Sequence, residues 1–296
     1  MFSVKGDLLK ILENEIGHFS KGQKKIAEYV GENYDKAAFM TAAKLGQAVG
    51  VSESTVVRFA IELGFDGYPE FQNALSNLIK NKLTSVQRVE VASEQLGDDI
   101  LGRVISLDID LIKKTVEEIN REAFNESVQR ITKARKIYII GVRSASAIAS
   151  FIHFYFRLFF ENVCLVSTTS SAEVFETIMD ISAEDVLIAI SFPRYSKRTV
   201  KAAHYSHMNG ATVIAITDSA VSPLAAYADE LLIARSGTTT FVDSLVAPMS
   251  IANALIAAVG LQKKEEISNT FRRLEEIWDE YDIYEKSENA NEKKNS

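Results

Sequence analysis

Two segments of this 296-residue chain place hydroxyls beside an arginine where an apolar run gives way to a helix-length stretch: Gly141-Val142-Arg143-Ser144-Ala145-Ser146 and Ser191-Phe192-Pro193-Arg194-Tyr195-Ser196. A strand that turns into a helix leaves the first helical N–H groups unbonded, and the aligned peptide dipoles make that end positive. Phosphates and other anions bind at such ends. In the first segment the strand passes into the helix through Gly141, with Ser144 and Ser146 as hydroxyl donors and Arg143 as added charge. In the second, Ser191 and Ser196 supply hydroxyls and Arg194 a two-pronged charge-assisted contact, with Lys197 and Arg198 nearby. The competing assignment for Ser144 is a plain helix cap. Ser167-Thr168-Thr169-Ser170-Ser171 reads as capping rather than ligation, and Thr238-Thr239-Thr240 is ambiguous between the two.

Other reactive side chains form no motif. Sugar isomerisation needs a base at the C1–C2 edge of the substrate. Glu173, Glu176, His153 and His204 qualify by type alone, so a phosphosugar isomerase stands as the alternative and no catalytic residue is assigned. His204 and His207 lie one helical turn apart, but no third ligand is spaced to complete a metal site. Neither metal nor cofactor is expected.

A different chemistry is written in residues 41–65. Thr41 is placed to cap a short helix ending at Gly50, where a left-handed backbone is cheap. Val51 can pin the turn. Ser52 can cap a second helix, with Glu53 at its positive end. Val56, Phe59, Ala60 and Leu63 then form a buried stripe at helical spacing. Ser54, Thr55 and Arg58 stay outside with Ser52. Hydroxyls at a helix start and an arginine one turn on suit contacts to phosphate and to base edges of double-stranded DNA. Lys44, with Lys21, Lys24, Lys25 and Arg58, would make the local basic face. Alone, this pattern equally fits an ordinary helical hairpin.

The supporting elements follow from periodicity. The first 80 residues read as helical, with Ile26, Ala27 and Val30 on one face of 23–31, a turn at Asn33-Tyr34-Asp35, and Phe71, Leu75, Leu78 and Ile79 on the helix that Pro69 starts. Residues 81–97 are polar and without period. Helical patterning resumes over 98–134. Beyond Lys136 come continuously apolar runs at 137–140, 163–166, 186–190, 212–216 and 231–234, separated by helix-length segments, as in the buried strands of a parallel sheet. The apolar stretches 151–160 and 246–261 fall short of a membrane span and read as buried helices.

Composition narrows the field. Hydrophobic residues make up 47% and charged residues 25%, the balance of a folded domain protein. The single cysteine, Cys164, forms no internal disulfide, and the N-terminus has no signal-peptide pattern, so the expected location is the cytoplasm. The net charge of −7 argues against a broadly basic nucleic-acid binder. Any DNA contact has to be local.

The run Gly50-Val51-Ser52-x-x-Thr55-Val56-x-Arg58-Phe59, followed by Leu63-Gly64-Phe65-x-Gly67-Tyr68-x-x-Phe71, resembles the N-terminal domain of the RpiR/MurR family of bacterial regulators. The strand–helix alternation of 125–262, with Gly210-Ala211-Thr212 through Pro223-Leu224-Ala225, resembles the sugar isomerase (SIS) domain that this family carries. The resemblance implies a two-domain chain: an all-α helix-turn-helix domain over 1–80, a linker and connecting helix over 81–124, and an α/β SIS domain over 125–262. A central parallel sheet flanked by helices forms that second domain, and a C-terminal helix and disordered tail occupy 263–296. It further implies a DNA-binding regulator of carbohydrate-metabolism genes, dimeric or tetrameric, that senses a phosphosugar. In that family the second anion segment usually reads Ser-x-Ser-Gly-x-Thr. Here Ser191 and Ser196 match the outer hydroxyls, while Pro193 and Arg194 replace the inner Ser-Gly, so Arg194 would have to substitute a guanidinium clamp for backbone approach.

Overall fold

The computed structural model describes residues 19–79, 86, 88–89, 92, 96–168, 170–237 and 242–285. Thr169, residues 238–240 and the tail from 286, each assigned a role or state above, lie outside them. The chain divides into two compact units, Met1–Asp110 with Gly237–Ser244, and Leu111–Ser236 with Leu245–Ser296.

The first unit is helical. Ser20 caps α1 (Lys21–Glu32) in a reciprocal box with Gln23, which turns Ile26, Ala27 and Val30 inward. Asn33 alone breaks the chain, and Tyr34 already opens α2 (Tyr34–Ala37), so the turn is shorter than the expected Asn33–Asp35. Then come α3 (Ala42–Val49), α4 (Glu53–Glu62) and α5 (Tyr68–Ile79). Their core holds Ile26, Val30, Leu45, Val56, Phe59, Phe71 and Leu75, all essentially sealed from water. Edge-to-face ring pairs tie it together, Phe19 to Phe59 at 5.3 Å, Phe59 to Phe71 at 5.7 Å and Phe65 to Phe71 at 5.5 Å. Tyr68 donates to the Met40 carbonyl at 2.7 Å, and burial pushes its phenol up to about 12, which keeps the proton in place. The side chains of Leu78 and Ile79 lie outside the described set.

Helix α6 (Ile100–Glu118) follows in the chain. Asn120 then accepts from the N–H groups of Glu122 and Ala123 and starts α7 (Arg121–Lys133), which splits the continuous pattern expected over 98–134.

In the second unit five parallel strands form one sheet: β1 (Ile137–Gly141), β2 (Val163–Val166), β3 (Val186–Ile190), β4 (Thr212–Thr217) and β5 (Glu230–Ile233), in the order β2-β1-β3-β4-β5. Alternate residues feed two cores. Ile137, Ile139, Ile188, Ile190, Ile214 and Ile216 pack with α7, α8 (Ala145–Phe156) and α11 (Val246–Gln262). Tyr138, Ile140, Leu187, Ala189, Val213 and Ala215 pack with α9 (Ser171–Ile178) and α10 (Lys197–Met208). Burial on both faces is why the strands read as unbroken apolar runs. Arg135 forks onto Asp185 at 2.9 and 2.7 Å, joining the entry to β1 to the entry to β3.

The apolar stretch 151–160 is helical only to Phe156, because Arg157 caps α8 and the chain turns over 157–159. No single described helix is long and apolar enough to cross a membrane. Helix α12 (Lys264–Glu280) buries no side chain in this chain, although Phe271 and Ile277 sit on it.

Candidate functional site

Two sites stand on these elements, one in each unit. In the first, Thr41 accepts from Lys44 N at 3.2 Å and caps α3, leaving the Lys44 side chain exposed. Gly50 ends α3 at φ +75°, ψ 42°, a conformation that favours glycine. Ser52 caps α4 by accepting from Thr55 N at 3.2 Å, with Glu53 in the exposed first turn. The outer face of α4 is one connected polar strip. Ser52 Oγ lies 2.9 Å from Ser54 Oγ and 2.8 Å from Thr55 Oγ1, and Arg58 Nε donates to the Ser54 carbonyl at 3.3 Å. Val56, Phe59, Ala60 and Leu63 are all buried beneath it, as the stripe predicted.

Two glycines set this corner. A Cβ on Gly46 would stand 2.8 Å from the Val51 carbonyl, so α3 and the start of α4 approach as closely as they do only over glycine. The i, i+4 spacing of Gly46 and Gly50 was the available signal for this, and hydrophobic periodicity alone passes over it. A Cβ on Gly22 would sit 3.4 Å from Thr55 Cγ2. The basic start of α1, with Lys21 and Lys25 exposed, thus lies beside the start of α4.

The second site is the carboxyl edge of the sheet. β1 and β3 are neighbours, with Gly141 in register with Ile190. From them the chain departs in opposite directions, β1 through α8 to β2 and β3 through α10 to β4. Such a reversal of strand order opens a crevice where ligands of parallel-sheet proteins bind. The loops 141–146 and 191–196 leave that edge from adjacent strands.

In the first loop a Cβ on Gly141 would meet the Ala145 carbonyl at 2.5 Å, so glycine is dictated by the close seating of α8 on β1. Ser144 stands at the cap position of α8 with a helical backbone and makes no side-chain capping bond, which removes the plain-cap assignment. Ser146 Oγ donates to the Arg143 carbonyl at 2.6 Å. Arg143 is exposed and has φ +60°.

In the second loop Arg194 is exposed with φ +64°. This arginine therefore keeps a glycine-type backbone at the position where the resemblance implied a glycine. Ser191 is 3% exposed and accepts from Ser196 N at 3.2 Å. Ser196 in turn accepts from Thr199 N at 3.3 Å and caps α10, so its hydroxyl already has a structural use. Arg198 donates to the Thr168 carbonyl at 3.1 Å, whereas Lys197 is exposed. Ser170 caps α9, as the capping assignment for 167–171 expected.

Sequence reasoning missed Tyr195 and Asp218. The Tyr195 hydroxyl donates to Asp218 Oδ1 at 2.8 Å, bracing the β3 loop against the end of β4. Burial first, then the charge and hydrogen bond of Asp218, push the phenol well above its ordinary value. The one available signal was an aspartate directly after the apolar run of β4.

The isomerase candidates are spread over three helices. His153 is half-buried on α8, Glu173 and Glu176 are exposed on α9, and His204 stacks on Tyr227 at 4.8 Å between centroids. His207 Nδ1 stands 3.9 Å from Asp229 Oδ1. Among the described residues no group of three His, Cys, Asp or Glu is arranged to hold a metal ion.

Residues 6–82 match the family model described as "Helix-turn-helix domain, rpiR family", and residues 130–258 match that of the SIS domain. An uncharacterised HTH-type transcriptional regulator of Clostridium perfringens is 26% identical over 236 residues, 79% of this chain and 84% of that protein. The HTH-type transcriptional regulator HexR of Escherichia coli is 26% identical over 275 residues, 91% of this chain and 93% of that protein. Among solved structures, the Vibrio vulnificus NanR protein complexed with ManNAc-6P aligns with a TM-score of 0.53 at 21% identity, covering 91% of this chain and 98% of its own. The sugar isomerase domain of an RpiR transcription factor from Sphaerobacter thermophilus gives 0.56 at 24% identity, covering 59% and 97%. Both structural likenesses establish the fold.

Proposed function

Because the chain belongs to the RpiR/MurR family of transcriptional regulators, with an rpiR-type helix-turn-helix followed by a SIS domain, we propose that it binds double-stranded operator DNA through α4 and senses a small anionic effector of the phosphosugar class. For DNA, the supporting observation is the polar strip of exposed Ser52, Ser54 and Arg58 with half-buried Thr55, raised on a closely seated helix pair with Lys44 alongside. For the effector, it is the reversal of strand order between β1 and β3, flanked by Arg143, Ser144 and Ser146 on one side and Ser191, Arg194 and Ser196 on the other. The structural relative holding a phosphorylated amino sugar favours the same ligand class.

Sensing rather than turnover is the reading supported here. The four candidates for base catalysis, Glu173, Glu176 and His204 exposed and His153 half-buried, lie on three helices and share no partner among the described residues. The working form is a homodimer or homotetramer in the cytoplasm, since one short recognition helix covers few base pairs and paired half-sites multiply specificity. A thermal-shift screen of sugar phosphates tests the effector. A ligand at about a hundred times its Kd adds about 2.7 kcal/mol of apparent stability. Selection of duplexes from a random pool tests the DNA partner, with a roughly palindromic consensus expected. A flat thermal screen ends the phosphosugar reading. Recovery of no preferred duplex ends the operator reading.

A further inference from the structure

Helix α12 is held at its root and left bare along its length. At Lys263 the chain turns by 97° between the axes of α11 and α12. Lys263 N donates to the Val259 carbonyl at 3.1 Å, and its Nζ stands 3.1 Å from Glu266 Oε1 and 5.3 Å from the centre of the Phe160 ring. Ile267, in the first turn, packs against the core that α8 and α11 share. No side chain of α12 is fully buried among the described residues. A helix of this length draws most of its stability in water from packing an apolar face.

Such a face is present. Leu274, Ile277 and Tyr281 follow the spacing of about 3.5 residues that makes a two-helix seam, and Phe271 and Trp278 widen it on one flank. Phe271, Ile277 and Tyr281 are exposed, and Leu274 and Trp278 are half-buried. On the other flank stand Arg273 and Glu280, both exposed. They are two turns apart, about 10.5 Å along the axis, so they do not reach each other on one helix.

A second α12 laid antiparallel satisfies these features together. When two helices run antiparallel, each flank meets the same flank of the other. With Leu274 opposite Ile277 of the partner subunit, Phe271 comes beside the partner's Trp278 and Arg273 beside the partner's Glu280. Two-fold symmetry makes each of these pairs twice. Sliding one helix by a heptad instead sets Arg273 against the partner's Arg273 and Glu280 against the partner's Glu266, so like charges disfavour that register. Parallel helices set Arg273 beside the partner's Trp278, which forfeits the ion pair. A lipid surface fits less well, because α12 carries six acidic side chains against three basic ones in its 17 residues and anionic headgroups repel that balance.

We propose that α12 is a self-association surface, on which a second copy of the chain lays its own α12 antiparallel, centred on Leu274 and Ile277 and set in register by Arg273 and Glu280. This names a surface for the homo-oligomer read above and rests on that reading.

Sedimentation equilibrium of the full chain tests it, comparing wild type with Arg273→Glu, Glu280→Arg and the double exchange. Each single change turns two attractive pairs per dimer into two repulsive ones and is expected to weaken self-association about tenfold at low salt. The double exchange restores both pairs and should return self-association to the wild-type level. Trp278 is the one tryptophan of the chain and reports on the seam directly. Its emission should move to the red in Leu274→Glu, as water reaches the indole, together with a fall in particle mass. Self-association untouched by the single changes, or weaker in the double exchange than in either single, overturns the seam. Trp278 emission that is the same in wild type and Leu274→Glu also overturns it. An emission shift on adding phosphatidylserine vesicles, with mass indifferent to the charge changes, assigns the face to a membrane and overturns it equally. A wild-type monomer at micromolar concentration ends the oligomer reading and the seam together, whereas a dimer indifferent to every variant ends the seam alone.

Discussion

Arg143 and Arg194 share one backbone conformation, with φ of +60° and +64°, and stand in the two loops that leave the adjacent strands β1 and β3. A side chain in the left-handed region costs about 1–2 kcal/mol. The same strain appearing twice at a strand-order reversal supports the proposed effector site, because strain of this kind clusters where conformation serves binding.

Replacing Arg194 separates strain from contact. Arg194→Gly should be more stable than Arg194→Ala by about 1 kcal/mol in thermal or denaturant unfolding, since glycine adopts this φ freely. Both should weaken a bound sugar phosphate by about 1.5–3 kcal/mol, the worth of a charge-assisted hydrogen bond. Normal ligand binding by the alanine variant would remove the guanidinium clamp.

Arg58→Ala should cost about 1–3 kcal/mol in specific duplex binding if the guanidinium reads a base. Fluorescence anisotropy on selected and random duplexes distinguishes the cases. Equal loss on both assigns Arg58 to phosphate contact, and no loss takes it out of the interface.

Gly46→Ala forces a methyl to within 2.8 Å of the Val51 carbonyl. Overpacking of this kind costs about 1–3 kcal/mol. Calorimetry should show an earlier melting of the N-terminal unit, and duplex affinity should fall although residue 46 faces inward. Unchanged melting would mean that α3 and α4 separate freely.

Asp185 supplies a pH signature. Burial pushes its carboxyl up, but the hydrogen bonds from Arg135 and Ser182 outweigh that and leave it below its ordinary value. A depressed carboxyl stabilises the fold above the unfolded pKa, near about 4, and the gain is lost as pH falls through the lower folded value. Asp185→Asn should therefore be less stable than wild type at neutral pH, with the gap closing in acid. A gap that holds constant from pH 7 downward would contradict the assignment.

Sedimentation at micromolar concentration should give a dimer or larger. A monomer under those conditions would leave a single recognition helix per particle, too small a footprint for the specificity of an operator.

Much of this architecture was legible in advance, for physical reasons. Strands buried on two faces read as unbroken apolar runs, so all five were placed to within a residue at most boundaries, β5 starting at Glu230 rather than Leu231. The stripe of Val56, Phe59, Ala60 and Leu63 follows helical spacing and is buried accordingly. What stayed hidden are pairings without period. Tyr195 and Asp218 are 23 residues apart, Arg135 and Asp185 are 50 apart, and Arg88 and Asp243 are 155 apart. Each member reads alone as an ordinary surface residue. The left-handed turns at Arg143 and Arg194 were equally hidden, because propensity places glycine or asparagine there.

The lengths of the strands have a further consequence. The two outermost, β2 and β5, have four residues each, against five or six for the three between them. A short rim offers an incoming chain few unpaired amides and carbonyls, which is how natural sheets discourage end-to-end growth into fibres. Two copies of this protein meeting in a cell would thus find little to gain rim to rim. Any association between copies would then fall to helical surfaces, where side-chain shape rather than generic backbone bonding decides which molecule is accepted.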